Sequence, residues 1–186
     1  MIWIEKSTGT NLSASYYSVD VVIPAYNAGK YITETLQSIA NQDAIINCII
    51  VVNDGSTDDT QVRVLEFSKS TPQLNIVLVN QQNMGLSAAR NTGIRLSKSD
   101  YIAFLDADDV WQHNKLSSQI ELLKLKPQPL LGIIYCGYKL INESGKTIYA
   151  DPRTIISPTL RGDVYKSLLR GNFISGSGSS VLIKRL

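Results

Sequence analysis

The sequence predicts an α/β protein in which a mostly parallel central sheet lies between layers of helices, an αβα sandwich. Two observations carry this expectation. Short runs such as "VVIP", "CIIVV" and "YIAFL" are apolar without alternation and are separated by stretches whose apolar residues recur every three to four positions. That combination describes strands buried on both faces and amphipathic helices covering them. The residues of unusual chemistry also cluster just after the strand-like runs, and in such sheets ligands bind beyond the carboxyl ends of the strands.

In order, "VDVVIPAY" reads as a strand closed by Pro24, and "KYITETLQSIANQ" as a helix with Ile32, Leu36, Ile39 and Ala40 on one face. "NCIIVVND" is a second strand. "STDDTQVRVLEFSKS" is a helix with Ser56 and Asp59 at capping-box spacing. "LNIVLVN" is a third strand, and "GLSAARNTGIRLSKS" a helix turning Leu86, Ala89, Gly93 and Leu96 inward. "YIAFLD" is the fourth strand, followed by the helix "NKLSSQIELLKLK" with Leu116, Ile120 and Leu123 in step. Beyond Pro127 and Pro129 the pattern loosens. "LLGIIYCGYKLINESGKTIYA" suggests a strand pair turning at "NESGK". "DPRTIISPTLRGDVYKSLLRGN" suggests loop then helix, and "FISGSGSSVLIKRL" a glycine–serine loop then a strand. Residues 1–18 are assigned to a leader and 19–186 to one domain, with a sheet-based, nucleotide-type half at 19–126 and a more irregular portion at 127–186.

The bulk properties exclude several classes. The chain has 186 residues, 44% apolar and 18% charged, with a net charge of +2. The scattered Lys and Arg leave no nucleic-acid footprint. Cys48 and Cys136 lie in apolar runs and read as buried free thiols more readily than as a disulfide or reactive site. A single histidine, His113, gives little support to a His-rich metal site or a His-based triad. The apolar start "MIWI" is broken at once by Glu5 and Lys6, and no apolar run approaches a membrane span. The expected location is the cytoplasm, with any membrane contact peripheral and at the inner face.

The chemistry concentrates in three places. In "YIAFLDADDVW", Asp106, Asp108 and Asp109 stand within four positions at a strand end. Carboxylates so close repel one another unless a positive charge lies among them. A hard divalent cation sharing its shell with substrate phosphates supplies that charge; a capped turn with solvated acids is the competing reading. In "VVNDGSTDDT", turn and capping roles account for Gly55 through Asp59 but not for Asp54, a carboxylate able to accept the imide N–H of a uracil ring. In "NQQNMGLSAARNTGI", Asn83 and Gly85 fit a tight turn. Arg90 is placed to meet a base carbonyl or phosphate, or else to form a surface ion pair. Trp111 reads as a core aromatic or as the border of a sugar site. No GxxxxGK[ST] occurs, and "GSGSSV" fails as a dinucleotide fingerprint.

Together, "VVIPAYNAGKYITETLQSIANQ", "CIIVVNDGSTDDT", "NMGLSAARNTGI" and "YIAFLDADDVW" resemble, in order and spacing, the family 2 glycosyltransferases of the GT-A fold, a Rossmann-like αβα sandwich. The resemblance covers residues 19 to 125 well and the remainder loosely. It implies inverting transfer of a sugar from a nucleotide-diphosphate donor, commonly a UDP-sugar, to a hydroxyl of a saccharide or lipid-linked acceptor, in cell-surface polysaccharide synthesis. By that likeness Pro24, Ala25, Tyr26 and Asn27 line the base and ribose. Asp54, with Gly55 beside it, binds the uracil edge, and Arg90 lies at the nucleotide pocket. Asp106-Ala107-Asp108 is similar to the family's DXD element, with Asp106 toward the ribose and Asp108 toward a divalent cation, Mn2+ or Mg2+, on the diphosphate.

Two departures qualify the likeness. The family's catalytic base sits in a later Glu-Asp pair followed by aromatic residues, and no such pair follows Asp109. The base is therefore expected beyond Leu186, and the chain is expected to be an N-terminal piece of a longer enzyme. His113 stands where similar sequences often carry proline. "FLDADDV" also fits the DxDx[TV] motif of haloacid-dehalogenase-like phosphatases, though three strand–helix units precede it here and no downstream acidic pair exists. A further alternative is a nucleotide-binding fragment that transfers nothing by itself.

Overall fold

The computed structural model describes residues 17–125, 132–149, 151, 154–174 and 177–185. The expected leader therefore lies almost wholly outside the described residues. Four strand–helix units lead the chain: β1 (Val19–Ala25), α1 (Ile32–Ala40), β2 (Cys48–Asp54), α2 (Thr60–Ser70), β3 (Ile76–Gln81), α3 (Leu86–Leu96), β4 (Tyr101–Phe104) and α4 (Lys115–Leu125). Then come β5 (Ile133–Tyr135), the short α5 (Tyr165–Arg170), a 3-10 turn at Gly178–Ser180, and β6 (Val181–Lys184).

The strands form one six-stranded sheet in the order β3-β2-β1-β4-β6-β5. β1 pairs parallel with β2 on one side and with β4 on the other, so that Val21 faces both Ile49 and Ala103. β3 extends the parallel set. β6 runs antiparallel to β4 and to β5, bringing the C-terminal residues into the same sheet. The chain leaves β1 for one flank and later returns to the other at β4. This reversal of winding direction opens a crevice above the carboxyl ends of β1 and β4.

All residues of β1 and β4 are buried, which explains their unbroken apolar character. Their period of two divides the core between the faces of the sheet. Val19, Val21, Ile23, Ile49, Val51, Ala103 and Leu105 pack against α1, α2 and α4 through Ile32, Leu36, Ile39, Val64, Phe67, Leu116 and Leu123. On the opposite face Val22, Ile50, Val52, Ile102 and Phe104 meet Ala89 of α3. There the helix lies so close that a Cβ on Gly93 would stand 2.2 Å from Val22 Cγ1.

Several sequence expectations are corrected. α2 begins at Thr60, not Ser56, and its Asp59 cap makes no side-chain cap bond; the residues before it are spent on the neighbouring loop. Leu86 and Leu96 are exposed, because α3 meets the sheet through Ala89 and Gly93, with Ile94 half-buried beside them. Ala40 and Ile120 are only half-buried. The "NESGK" turn forms, with a single bridge between Ile141 and Thr147, while β5 takes β6 as its strand partner. Both cysteines are free, as expected, but half-buried. Trp111 is a core residue, its Nε1 donating to the Ser179 carbonyl at 2.9 Å.

Candidate functional site

The loops after β1 and β2 are stitched together. Asn27 takes a positive φ of 49°, which Asn tolerates better than most residues. Its N–H donates to Ser56 Oγ at 3.0 Å, and its Oδ1 accepts from the Thr57 N–H at 2.8 Å. The Ala28 N–H donates to Thr60 Oγ1 at 2.8 Å and the Gly29 N–H to Asp58 Oδ2 at 2.9 Å. Asn27 is thus spent on shaping the crevice rim.

Asp54 ends β2 and is buried. Its Oδ1 accepts from Gln81 Nε2 at 2.7 Å and the Met84 N–H at 3.0 Å, and its Oδ2 from the Gly85 N–H at 2.8 Å. Burial pushes this carboxyl up, but the three donors outweigh it and hold the group below the usual carboxylate value. A carboxylate offers about four acceptor positions, so one on Oδ2 remains open. Gly55 follows with φ +74°, and a Cβ there would stand 2.8 Å from the Asn83 backbone nitrogen. A groove runs past Asp54, lined by Pro24, Ala25, Tyr26, Asn83, Gly85, Leu86 and Ala89. A mostly apolar cleft with one convergent carboxylate suits a flat heteroaromatic ring.

Across the crevice, the turn after β4 carries the acids. Arg90, from α3, pairs with Asp106 Oδ1 at 2.6 Å, both half-buried. This is the ion-pair alternative for Arg90, formed inside the crevice instead of on the outer surface; its Nε is buried without a partner among the described residues. Ala107 is buried, its carbonyl accepting from Thr35 Oγ1 at 2.9 Å, so the intervening residue anchors the turn to α1. Asp108 is exposed. Desolvation, then the neighbouring charges of Asp109 and Asp106, push its carboxyl above the ordinary value. A carboxylate raised by like charges is one that a cation would relieve. No group of three or more His, Cys, Asp or Glu among the described residues forms a metal cage. The oxygen donors therefore fit a magnesium- or manganese-type ion only if phosphate oxygens and water complete its shell.

Pro24, Ala25, Tyr26 and Asp54 thus share one groove, Arg90 and Asp106 form an ion pair, and Asp108 stands exposed in the same turn as Asp106. Asn27, Gly55 and Ala107 hold backbone. Sequence reasoning missed Gln81, which orients Asp54, and gave Leu86 to the core although it borders the groove. It also missed Ser177 and Ser179, both bonded to Asp109. The "GSGSS" run was the available signal, but it was read as a glycine–serine loop before a strand and as a failed dinucleotide fingerprint.

Fold and site together define an α/β domain with an apolar groove beside Asp54 and an acidic turn after β4. The chain belongs to glycosyl transferase family 2, whose family model matches residues 20–175. It is 37% identical over 128 residues to the Escherichia coli UDP-Glc:alpha-D-GlcNAc-diphosphoundecaprenol beta-1,3-glucosyltransferase WfgD, covering 69% of this chain and 48% of that protein. It is 32% identical over 127 residues to the putative teichuronic acid biosynthesis glycosyltransferase TuaG of Bacillus subtilis, covering 68% and 49%. The chain thus spans about half the length of these curated relatives. Among solved structures, the Pyrobaculum calidifontis mannosyltransferase PcManGT, in complex with GDP-Man and Mn2+, superposes with a TM-score of 0.60 at 29% identity, covering 66% of this chain and 35% of that one. Staphylococcus aureus TarS 1–349 in complex with UDP gives 0.65 at 22% identity, covering 90% and 47%, a likeness of fold. The architecture is that of the GT-A glycosyltransferases. Nothing in these matches supports the phosphatase alternative.

Proposed function

We propose that this chain carries the donor-binding part of an inverting glycosyltransferase that uses a UDP-sugar and a divalent cation. The acceptor is a hydroxyl of a saccharide or a lipid-linked saccharide, in cell-surface polysaccharide synthesis. The observation that carries this reading is the pairing of two walls across one crevice. Asp54 keeps a single open acceptor position beside an apolar groove, and Asp106 and Asp108 project from the facing turn. A uracil ring offers one imide N–H, which matches that acceptor. The donor named for WfgD and the Mn2+ of PcManGT support uridine and a divalent cation.

In this mechanism the ring lies between Pro24, Ala25 and Tyr26, with its N–H on Asp54. Asp106, held by Arg90, accepts from the ribose hydroxyls, and Asp108 with Asp106 holds Mn2+ or Mg2+. Bound there, the ion acts as a Lewis acid on the departing diphosphate. The residues of this chain orient the donor so that the acceptor oxygen attacks from the opposite face of the anomeric carbon. The base that takes the acceptor's proton is assigned to no residue here. Residues 19–126 form the nucleotide-binding half and 127–186 the acceptor-side portion. No helix among the described residues is long and apolar enough to cross a membrane, and the proposed location is the cytoplasm, in peripheral contact with the inner membrane face.

Thermal melts with UDP, GDP and ADP, each with and without Mn2+, test the reading. A ligand at a hundred times its dissociation constant adds about 2.7 kcal/mol. UDP with Mn2+ is expected to stabilise most, and Asp108→Ala to abolish the increment due to the metal. Absence of a shift with any nucleotide rejects the proposal. The chain spans about half of its relatives' length, and a second reading is a domain that binds donor without transferring sugar; an assay for sugar transfer by this chain separates the two.

A further inference from the structure

Three carboxylates crowd the turn after β4, and one of them is tied through one oxygen to neighbouring hydroxyls. The third, Asp109, accepts on one oxygen from Ser177 Oγ at 2.8 Å and Ser179 Oγ at 2.6 Å. Both serines come from the strap that leads into β6. The bonds continue into the acidic turn itself: Ser179 Oγ accepts from the Asp106 N–H at 2.9 Å, and Ser177 Oγ from the Ser179 N–H at 3.1 Å. Ser177 holds φ at +62°, a conformation disfavoured for a residue with a Cβ, so its hydroxyl bonds hold the strap against its intrinsic preference. Gly178 then passes directly over Arg90, where a Cβ would stand 2.8 Å from Nη2. The strap thus touches the Asp106 backbone and the guanidinium that grips the Asp106 carboxylate.

We propose that Asp109 is a positioning residue and not a cation ligand: by clamping Ser177 and Ser179 it fixes the turn so that Asp106 and Asp108 alone present oxygen to the cation and the donor's diphosphate. This deepens the donor-site reading and rests on it. The physical reason is economy of charge. Two carboxylates with a diphosphate suffice for a divalent ion, and a third facing the same point adds repulsion. Neutral hydroxyl donors hold that third carboxylate without competing for the ion. Groups that orient metal ligands typically change metal affinity ten- to a hundred-fold when removed.

The test is calorimetric titration of Mn2+ in saturating UDP, and of UDP without metal, on the unaltered chain and on Ser179→Ala, Ser179→Thr, Asp109→Asn and Asp108→Ala. Ser179→Ala is expected to weaken Mn2+ roughly ten- to a hundred-fold while metal-free UDP affinity holds within about twofold. Ser179→Thr keeps a hydroxyl and restores most of the loss. Asp109→Asn keeps an acceptor oxygen for the serines and retains most Mn2+ affinity. Two results overturn the proposal: Asp109→Asn losing Mn2+ as completely as Asp108→Ala, which makes Asp109 a ligand, or Ser179→Ala binding Mn2+ as well as the unaltered chain. If Ser179→Ala fails to fold, Ser177→Ala is read in its place by the same criteria. Failure of the unaltered chain to bind UDP and Mn2+ is a separate result that rejects the donor-site reading together with the proposal.

Discussion

Lys115, the first residue of α4, holds its ammonium 3.8 Å from the centre of the Trp111 ring, buried and without a hydrogen-bond partner among the described residues. Desolvation pulls its pKa down to about 7, opposed weakly by the thiol of Cys136. In the unfolded chain a lysine keeps its proton to about pH 10.4. Above about pH 7 the unfolded state therefore binds more protons than the folded state, and stability rises with pH. Cys136, whose thiol burial pushes up, acts in the opposite sense once unfolded thiols ionise near pH 8.5. Urea unfolding between pH 7 and 8 should show stability climbing by up to about 1.4 kcal/mol, and Lys115→Met should remove most of that slope. An unchanged slope in the variant assigns the effect elsewhere. The sequence placed Lys115 at a helix start but said nothing of its burial, which comes with the approach of Trp111 and Cys136 in the folded chain. Asp54 stood out in the sequence as an acid at the end of an apolar run that turn and cap roles leave unexplained, and Asp108 by its crowding with Asp106 and Asp109, which a capped turn with solvated acids also explains.

α3 shows how an element can be found correctly and faced wrongly. Its period was evident, but Leu86 and Leu96 were assigned inward on hydrophobicity, whereas the fully buried positions of the helix are Ala89 and Gly93. Val22, fully buried and paired on both sides through β1, cannot retreat from an added methyl. Gly93→Ala gains about 1 kcal/mol of helix propensity, yet the 2.2 Å contact is far below any tolerable approach, and overpacking costs about 1–3 kcal/mol or more. The net expectation is a melting temperature lower by several degrees, recovered in part by Val22→Ala in the same chain. A more stable Gly93→Ala variant would show that the helix shifts freely over the sheet. The late start of α2 has a related cause. Ser56 and Thr57 satisfy capping rules by sequence, but they bond to Asn27 instead, while Asp58 holds both the Gly29 N–H and the local Thr60 N–H. A partner about thirty positions away outcompeted the local cap.

Carboxylates also pin the sheet together at the end opposite the crevice. Asp20, buried in β1, accepts from Asn47 Nδ2, Ser97 Oγ, the Lys98 N–H, the Ser99 N–H and Ser99 Oγ, joining the loops that precede β2 and β4. Burial raises its carboxyl, but the bonds from Ser99, Ser97 and Asn47 prevail and lower it, as the donors around Asp54 do for that residue. Groups with depressed folded values give stability that is complete above the unfolded carboxylate pKa, near 3.9, and lost as pH falls through the folded values. Acid titration followed by circular dichroism should therefore show stability flat from about pH 6 to 5 and falling below about 4. Asp20→Ala should cost about 3 kcal/mol at pH 6, since hydrogen bonds to a charged group each contribute about 1.5–3 kcal/mol, and should flatten the acid limb. A variant as stable as the unaltered chain would deny Asp20 this role. The four leading strand–helix units, and the placing of Asp54, Asp106 and Asp108 at or just beyond strand ends, were readable in the linear chain, because periodicity and strand ends are local signals repeated unit after unit. The order β3-β2-β1-β4-β6-β5, the hold of Gln81 on Asp54, and the clasp of Ser177 and Ser179 on Asp109 came only with the assembled fold. Those contacts join residues 27 to 70 positions apart, and a hydrogen bond's partner is chosen by what packing brings within reach, which no local pattern encodes.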